Sequence, residues 1–342
     1  MDVEQSIVAK YPPDAMATSH RARDGKVTCV KDPERQPLQF LQRQQHLANF
    51  DHFHYQCWHH RYAYLTQIKA PHQIVAKGFA THILAKDMAT LGPKKMLNDE
   101  VMNMYNQLLV VETNEPWRRI KYMGTYFHTK LSNLSMTQSN VNLGSGRKGV
   151  KMRLKHIKAF LAGVNYKGVC RWTRKWDVFR RQLILVPVHR LLHWCLYAIR
   201  IIKLKRKPRN KTAPLHKVRI VYYDSHPGIR FCPKTFKQLV AWLQLEYFYK
   251  YGRQLKDIEH ESGSSTVQTN GYDCGVHVCA NAFALCYGVP PYTFTTREHF
   301  KEFRVHMALS IERQSIMKKF KYNPSLWLYR KNLQNKSKSS KS

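Results

Sequence analysis

The feature that most constrains the fold of this chain is segment 268–286, where a run of turn-forming residues meets an unbroken apolar run at Cys274. Asn270, Gly271 and Asp273 favour a tight loop before the cysteine. The apolar residues that follow have no helix breaker before Gly288, which predicts a buried helix with Cys274 at or near its N-terminus. The amide groups and the positive dipole end at that place favour a thiolate, the nucleophilic form needed for covalent catalysis.

A cysteine alone is weak support for catalysis, because buried cysteines usually behave as small apolar side chains and this chain has eight of them. Cys274 differs from the other seven in having polar partners upstream at the ends of strand-like segments. His193 enters one such run, just after another at 183–188. Asp224 ends a third run, 218–223, where a carboxylate can accept a hydrogen bond from imidazole and orient it.

A third partner is Gln268, which lies just upstream of the cysteine in the same loop. A side-chain amide at this place can donate a hydrogen bond to the oxyanion that forms when a carbonyl is attacked. The order His, Asp, Gln, Cys on a strand, strand, loop and helix plan therefore predicts a site for nucleophilic catalysis.

In these segments the chain resembles the sentrin/SUMO-specific cysteine proteases, the ubiquitin-like-protease family. The strongest match is the string Gln268-Thr-Asn-Gly-Tyr-Asp-Cys-Gly-Val, joined by His193-Trp194 and Tyr223-Asp224-Ser225 and by weaker matches near 97–101 and 168–175. The resemblance implies an α+β, papain-like cysteine protease fold. Its central mixed or antiparallel sheet would be flanked by helices, with the catalytic cysteine at a helix N-terminus.

The resemblance also implies a role for each residue of the motif. Cys274 would be the nucleophile and His193 the general base. Asp224 would orient His193, and Gln268 would donate to the oxyanion. Trp194 matches the family tryptophan that covers a narrow channel for the Gly-Gly tail of the substrate, through which only residues without a side chain can pass.

One position departs from the family pattern. The family places a tryptophan, the other wall of the glycine channel, just before its Leu-Asn-Asp string, and here that residue is Met96. Methionine is flexible and apolar, so we expect a looser channel with altered efficiency or substrate choice. Asn98 and Asp99 suit the N-cap and first turn of an amphipathic helix, and we group them with Met96 and Trp194 as substrate-binding residues.

We expect a catalytic domain at 76–325 that carries a basic hairpin insertion at 203–217. A basic, partly disordered extension would precede it at 1–75, and a Lys/Ser-rich tail would follow at 326–342. A histidine-rich stretch in the extension lacks a closed four-ligand spacing, so no metal is expected. The proposed chemistry needs no cofactor.

The net charge of +35 predicts contact with acidic or polyanionic partners, including non-specific contact with polyanions, although solubility or non-specific adhesion explains the charge about equally well. Between Pro116 and Tyr223 the only acidic residue is Asp177. We expect no secretory signal, no membrane span and reduced thiols inside a cell. The basic clusters favour a nuclear or nucleocytoplasmic protein.

The expected function is hydrolysis of the bond after the C-terminal Gly-Gly of SUMO, by deconjugation from lysine, by precursor processing or by both. SUMO or SUMO-conjugated proteins would then be the partners. Two alternatives stay open: the same fold acting on another ubiquitin-like modifier, and a weakly active or inactive descendant that binds SUMO or nucleic acid. The intact set of four polar residues argues against the inactive descendant, and the charge argues mildly for it.

Overall fold

The computed structural model describes residues 56–114, 119–133, 164–204, 214–226, 231–291 and 297–317, all within one compact unit that begins at Tyr55. Most of the extension, the centre of the basic insertion and the tail lie outside the described residues. The helices are α1 (56–66), α2 (Ala85–Met88), α3 (Asp99–Thr113), α4 (Tyr126–Ser132), α5 (Tyr166–Thr173), α6 (Pro233–Tyr251), α7 (Cys274–Tyr287) and α8 (Arg297–Glu312). The strands are β1 (Ile74–Gly78), β2 (Thr81–Leu84), β3 (Ile120–Tyr122), β4 (Leu183–Arg190), β5 (His193–Lys203), β6 (His216–Tyr223) and β7 (Ile258–Ser262).

The central sheet has the strand order β3-β4-β5-β6-β7, and β1 and β2 form a separate antiparallel pair. Strands β4, β5 and β6 run antiparallel, whereas β3 is parallel to β4 and β7 is parallel to β6. The mixed sheet and its flanking helices confirm the α+β prediction, and the strands that carry His193 and precede Asp224 pair antiparallel. None of the helices in the described part is long and apolar enough to cross a membrane.

Strand β5 is buried on both faces, which explains its near-continuous apolar sequence. One face, with Trp194, Leu196 and Ala198, belongs to the core that contains α7. The opposite face, with Cys195, Tyr197 and Ile199, belongs to the core that contains α6. The sheet therefore separates two hydrophobic layers. The polar residues His193 and Asp224 lie where β5 begins and β6 ends.

Helix α7 is the buried helix predicted after the turn-rich loop. It contacts α3, α8 and β5 and ends at Gly288, which adopts a left-handed conformation with φ 71°. A Cβ added at Gly275 would lie 3.1 Å from Leu97 Cβ and 3.3 Å from Met102 Sδ. The residue after the cysteine must therefore be small for the segment before α3 to pack against α7.

The predicted N-cap of α3 is confirmed, since the side chain of Asn98 accepts a hydrogen bond of 3.1 Å from the amide of Val101. The residue types at 257–260 and 265–267 predict two short strands. The first is confirmed by β7, whereas 265–267 is a loop outside the sheet. Its short apolar alternation did not distinguish an extended loop from a strand, because strand pairing depends on tertiary neighbours.

Helix α1 extends the folded unit N-terminal to the boundary expected at residue 76. Leu65 is fully buried in the core that contains α7, and Trp58 and Tyr62 pack against the same core. Helix α8 ends at Glu312, and Gln314 leaves the helical conformation with φ 53°.

Candidate active site

Cys274 is the first residue of α7, and only 3% of its surface is exposed. The loop before it is held by Asn270, whose Oδ1 accepts hydrogen bonds from the amides of Tyr272 (3.0 Å) and Asp273 (2.9 Å). Its Nδ2 donates to Asp273 Oδ2 at 2.7 Å. An asparagine that bonds the backbone two and three residues ahead closes a tight turn, so this loop delivers the cysteine in a fixed position.

His193 and Asp224 are brought together by the pairing of β5 with β6. His193 begins β5, and Asp224 directly follows the last residue of β6. Nε2 of His193 lies 2.7 Å from Oδ1 of Asp224. Both side chains are largely buried, with about a tenth of each exposed.

The carboxylate of Asp224 is held by three donors. Oδ1 accepts from His193 and from the amide of His226 at 2.8 Å, and Oδ2 accepts from the hydroxyl of Tyr222. Burial works to raise the pKa of Asp224, but the hydrogen bonds from His193, Tyr222 and the His226 amide lower it below its ordinary value. The carboxylate is therefore ionised near neutral pH and fixed in direction.

The ring of His193 faces both the carboxylate and the cysteine. Burial works to lower the pKa of His193, but hydrogen bonds with Asp224 and Cys274, together with their charges, raise it to about 9. Since Nε2 is committed to Asp224, Nδ1 is the nitrogen left for the sulfur. A protonated imidazole beside a thiolate is the ionic form of a nucleophile–base pair in a cysteine hydrolase.

Gln268 lies in the loop beside this pair, and its amide group is oriented at both ends. Its Oε1 accepts a hydrogen bond of 2.7 Å from the hydroxyl of Ser225, and its Nε2 donates to the carbonyl of Asn270 at 2.6 Å. Its backbone amide donates to the carbonyl of Ser225 at 2.7 Å. Asn270 uses one of the two Nε2 hydrogens, which leaves the second for an oxyanion.

The four residues grouped as substrate-binding occupy different environments. Trp194 is buried against His189 on the neighbouring strand, with ring centroids 4.6 Å apart, whereas Met96 is 54% exposed. Asn98 uses its side-chain oxygen for the cap of α3 and its Nδ2 for a hydrogen bond of 2.8 Å to Asp87. Asp99 lies in the first turn of α3 and is partly exposed. Asn98 thus helps to hold the loop before α3 in place, the loop that contains Met96.

Arg304 on α8 supports the site in a way that sequence reasoning missed. It is buried, and its guanidinium binds Oδ1 of Asp273 through Nε (3.1 Å) and Nη2 (2.6 Å). The same group donates to the carbonyls of Thr90, Leu91, Gly92 and Lys95, at 2.7 to 3.4 Å. One side chain therefore ties the residue before Cys274 to the loop that leads to Met96.

Tyr222 and Ser225 were also missed as supporting residues. Tyr222 lies two positions before Asp224, so strand alternation could have shown that both side chains point to the same face. Ser225 orients Gln268 across 43 positions of sequence, and no local pattern indicates that contact.

The fold and this geometry define a papain-like cysteine protease as the class of protein. Residues 95–318 match the Ulp1 protease family, C-terminal catalytic domain. The chain is 28% identical over 255 residues to sentrin-specific protease 2 of Mus musculus, and the aligned region covers 72% of this chain and 35% of that protein. It is 26% identical over 243 residues to sentrin-specific protease 3 of Homo sapiens, with 67% and 33% covered.

Among solved structures, the fold is similar to the catalytic domain of the Ulp1-like SUMO protease of Chaetomium thermophilum, with a TM-score of 0.54, 18% identity and coverage of 79% and 93%. It is also similar to the C-terminal Ulp1 protease domain solved in complex with SMT3, the yeast ortholog of SUMO, with a TM-score of 0.51, 20% identity and coverage of 75% and 94%. The chain belongs to the Ulp1 protease family. It spans about a third of the length of the curated relatives it matches.

Proposed function

We propose that this chain is a cysteine protease that hydrolyses the bond after the C-terminal Gly-Gly of SUMO. The observation that carries the proposal is the 2.7 Å hydrogen bond between His193 and Asp224, with the His193 ring facing Cys274 at the start of α7. Membership of the Ulp1 protease family supports it, as do the sentrin-specific proteases among the relatives. SUMO and SUMO-conjugated proteins are the proposed partners.

In the proposed reaction, the thiolate of Cys274 attacks the carbonyl carbon of the terminal glycine. The oxyanion receives a hydrogen bond from Nε2 of Gln268. Protonated His193 gives its proton to the leaving nitrogen, which is a substrate lysine amine or the amine of a precursor tail, and a thioester remains. Neutral His193 then takes a proton from the attacking water, and collapse of the intermediate releases the thiolate and the glycine carboxylic acid, which loses its proton to solvent. Asp224 keeps the imidazole oriented throughout.

Trp194 and Met96 are proposed as the walls of the channel for the Gly-Gly tail. Contact between Leu97 and Gly275 supports this role for Met96, because it holds the Met96 segment against the start of α7. The exposed methionine favours a wider channel than a tryptophan would form. This difference is the reason to include other ubiquitin-like modifiers as substrates in the test.

The test compares wild type and Cys274→Ser on a panel of fluorogenic modifiers: SUMO, ubiquitin and the ubiquitin-related protein that is removed from cullins. We expect rapid release from SUMO by wild type and none above background by the variant. A SUMO vinyl sulfone should label wild type, with the adduct mapped to Cys274. Equal rates for the two proteins would refute the mechanism, and a preference for another modifier would refute the substrate.

We further propose a nuclear or nucleocytoplasmic location, which the basic clusters of the sequence support. A fluorescent fusion of the full chain should accumulate in nuclei, and glutamine substitution of the lysines and arginines in 203–217 should reduce that accumulation. Exclusion of the unaltered fusion from nuclei would contradict the proposal.

A further inference from the structure

An open cleft of about 480 Å³ lies at the edge of the central sheet where β3 and β4 begin. We call it the basic cleft because six cationic side chains line it: Arg119, Arg174, Lys175, Arg180, Arg181 and Lys250. They come from four parts of the chain: the start of β3, the turn after α5, the approach to β4 and the end of α6. The fold, rather than a local run of basic residues, therefore assembles this charge.

The one carboxylate in the lining, Asp177, has structural partners. Its Oδ1 accepts from the amide of Phe179 at 2.8 Å, and its Oδ2 accepts from the hydroxyl of Tyr251 at 2.9 Å. These bonds fix the turn after α5 to the end of α6. Within the part of the chain that the structure describes, no carboxylate lies within ion-pairing distance of any of the six cations of the basic cleft.

Two cations, Arg181 from the lining and Lys121 from β3, lie near the ring of Trp176, which also lines the basic cleft. The charged ends of Lys121 and Arg181 lie 5.5 Å and 5.4 Å from the centroid of its ring. Burial and then the charge of Arg181 lower the pKa of Lys121, and burial and then the charge of Arg119 lower the pKa of Arg181. Nε of Arg181 is buried without a hydrogen-bond partner among the described residues. An anion in the basic cleft would relieve this repulsion.

The side chains favour phosphate groups attached to bases over a carboxylate-rich peptide. Arginine presents a planar fork of donors that matches phosphate oxygens, and the basic cleft has four arginines. Trp172, one turn before Trp176, is 39% exposed, and its ring packs against Phe127 with centroids 5.6 Å apart. Trp176 itself lines the basic cleft and is partly exposed. An aromatic ring among cations is the combination by which proteins bind single-stranded nucleic acid.

We propose that the basic cleft binds the phosphate backbone of a single-stranded nucleic acid. Strand β4 starts at the basic cleft and ends at Arg190, which pairs with His193, so the two sites are about 23 Å apart at the usual rise of a strand. A nucleic-acid strand bound in the basic cleft would leave the candidate active site accessible to substrate. The protease would thereby be held close to modified proteins that bind nucleic acid.

The test uses the full chain and a fluorescently labelled oligothymidylate, with binding followed by anisotropy over a series of salt concentrations. Arg174→Gln with Lys175→Gln removes two exposed cations of the basic cleft. Lys69→Gln with Lys77→Gln removes the same charge from exposed positions outside it. We expect the first variant to bind roughly tenfold more weakly and its salt dependence to fall by about 0.7 per lost phosphate contact, with the second variant near wild type.

Equal losses in the two variants would overturn the proposal, because binding would then follow overall charge. A glutamate-rich peptide that competes fully and binds more tightly than the oligonucleotide would overturn it in favour of an acidic protein partner. Both variants should cleave fluorogenic SUMO at the wild-type rate, so failure of this proposal is distinguishable from failure of the proposed protease function.

Discussion

At the Arg190 end of strand β4, the polar groups of the candidate active site are hydrogen-bonded to complementary partners. At the Leu183 end, the cations of the basic cleft have no carboxylate within ion-pairing distance among the described residues. We call these the matched and the unmatched end. Beside Arg190, the Asp224 carboxylate has three donors and the Gln268 amide is held at both its oxygen and its nitrogen. Beside Leu183, burial and the charge of a neighbouring arginine lower the pKa of Arg181. The matched end is preorganised for chemistry, because its groups are oriented before a substrate arrives. The unmatched end is arranged to bind an anion.

The largest expected effect comes from removing the base at the matched end. His193→Ala should lower the rate of SUMO cleavage by about 10²- to 10⁴-fold, because no group remains to protonate the leaving amine. The pKa of His193 is raised to about 9, so the imidazolium is present below that pH and is lost above it. The wild-type rate should therefore fall above about pH 9, as measured with fluorogenic SUMO, and the residual rate of the variant should lack this limb. An unchanged profile would contradict the role of His193.

The next effect is on stability. Arg304→Met leaves Asp273 buried without its cation, which should lower the free energy of unfolding by about 3–5 kcal/mol in urea denaturation. Arg313→Met, at an exposed position just after α8, is the matched control and should change it by less than about 0.5 kcal/mol. Similar values for the two variants would mean that Arg304 does not hold the site together.

A smaller effect, of opposite sign, is expected at the turn between β4 and β5. Leu191 and Leu192 adopt left-handed conformations, with φ 51° and 59°, and are 82% and 80% exposed. Asparagine and glycine are the residues that such a two-residue turn favours, so Leu191→Asn with Leu192→Gly should raise the free energy of unfolding by about 1–3 kcal/mol. Leu191→Ala with Leu192→Ala keeps the backbone strain. If the alanine pair stabilises equally, exposed apolar surface rather than strain is the cause.

The smallest effect is expected from Tyr222→Phe, which removes one of the three donors to Asp224. The cleavage rate should fall about threefold to tenfold, the equivalent of one hydrogen bond of ordinary net strength. Since Tyr222 helps to lower the pKa of Asp224, that pKa should rise, and activity should be lost at a higher pH on acidification. Tyr223→Phe, next to it in β6, is the control and should leave the acid limb in place. No difference between the two variants would exclude Tyr222 as a positioning residue.

The sequence was sufficient to predict the catalytic elements because their signals are local. The turn-rich loop, the apolar helix and the strand-like runs predicted α7, β5 and β6, the elements at whose ends Cys274, His193 and Asp224 lie. The partners of Arg304 lie 31 and 209 to 214 positions away, so nothing near it in sequence indicates its contacts. The tight turn at Leu191 was equally hidden, because its residues lack the glycine or asparagine by which such turns are recognised.

The basic cleft was only partly visible in the sequence. The scarcity of acidic residues between Pro116 and Tyr223 indicated a basic surface. The convergence of Arg119, Arg181 and Lys250 depends on how β3, β4 and α6 pack, which composition does not show. Charge is thus readable from a sequence, whereas its concentration at one place is a property of the fold.

The close fit at Gly275 sets a limit on how this protein can be modified. Even a methyl group there would press on Leu97, next to the proposed channel wall at Met96. Alanine at this position is the mildest available way to shift that wall while every group of the His193–Asp224 pair stays chemically intact. Substitution of Gly275 by alanine would therefore change which tails the proposed channel admits, while the candidate catalytic groups keep their chemistry.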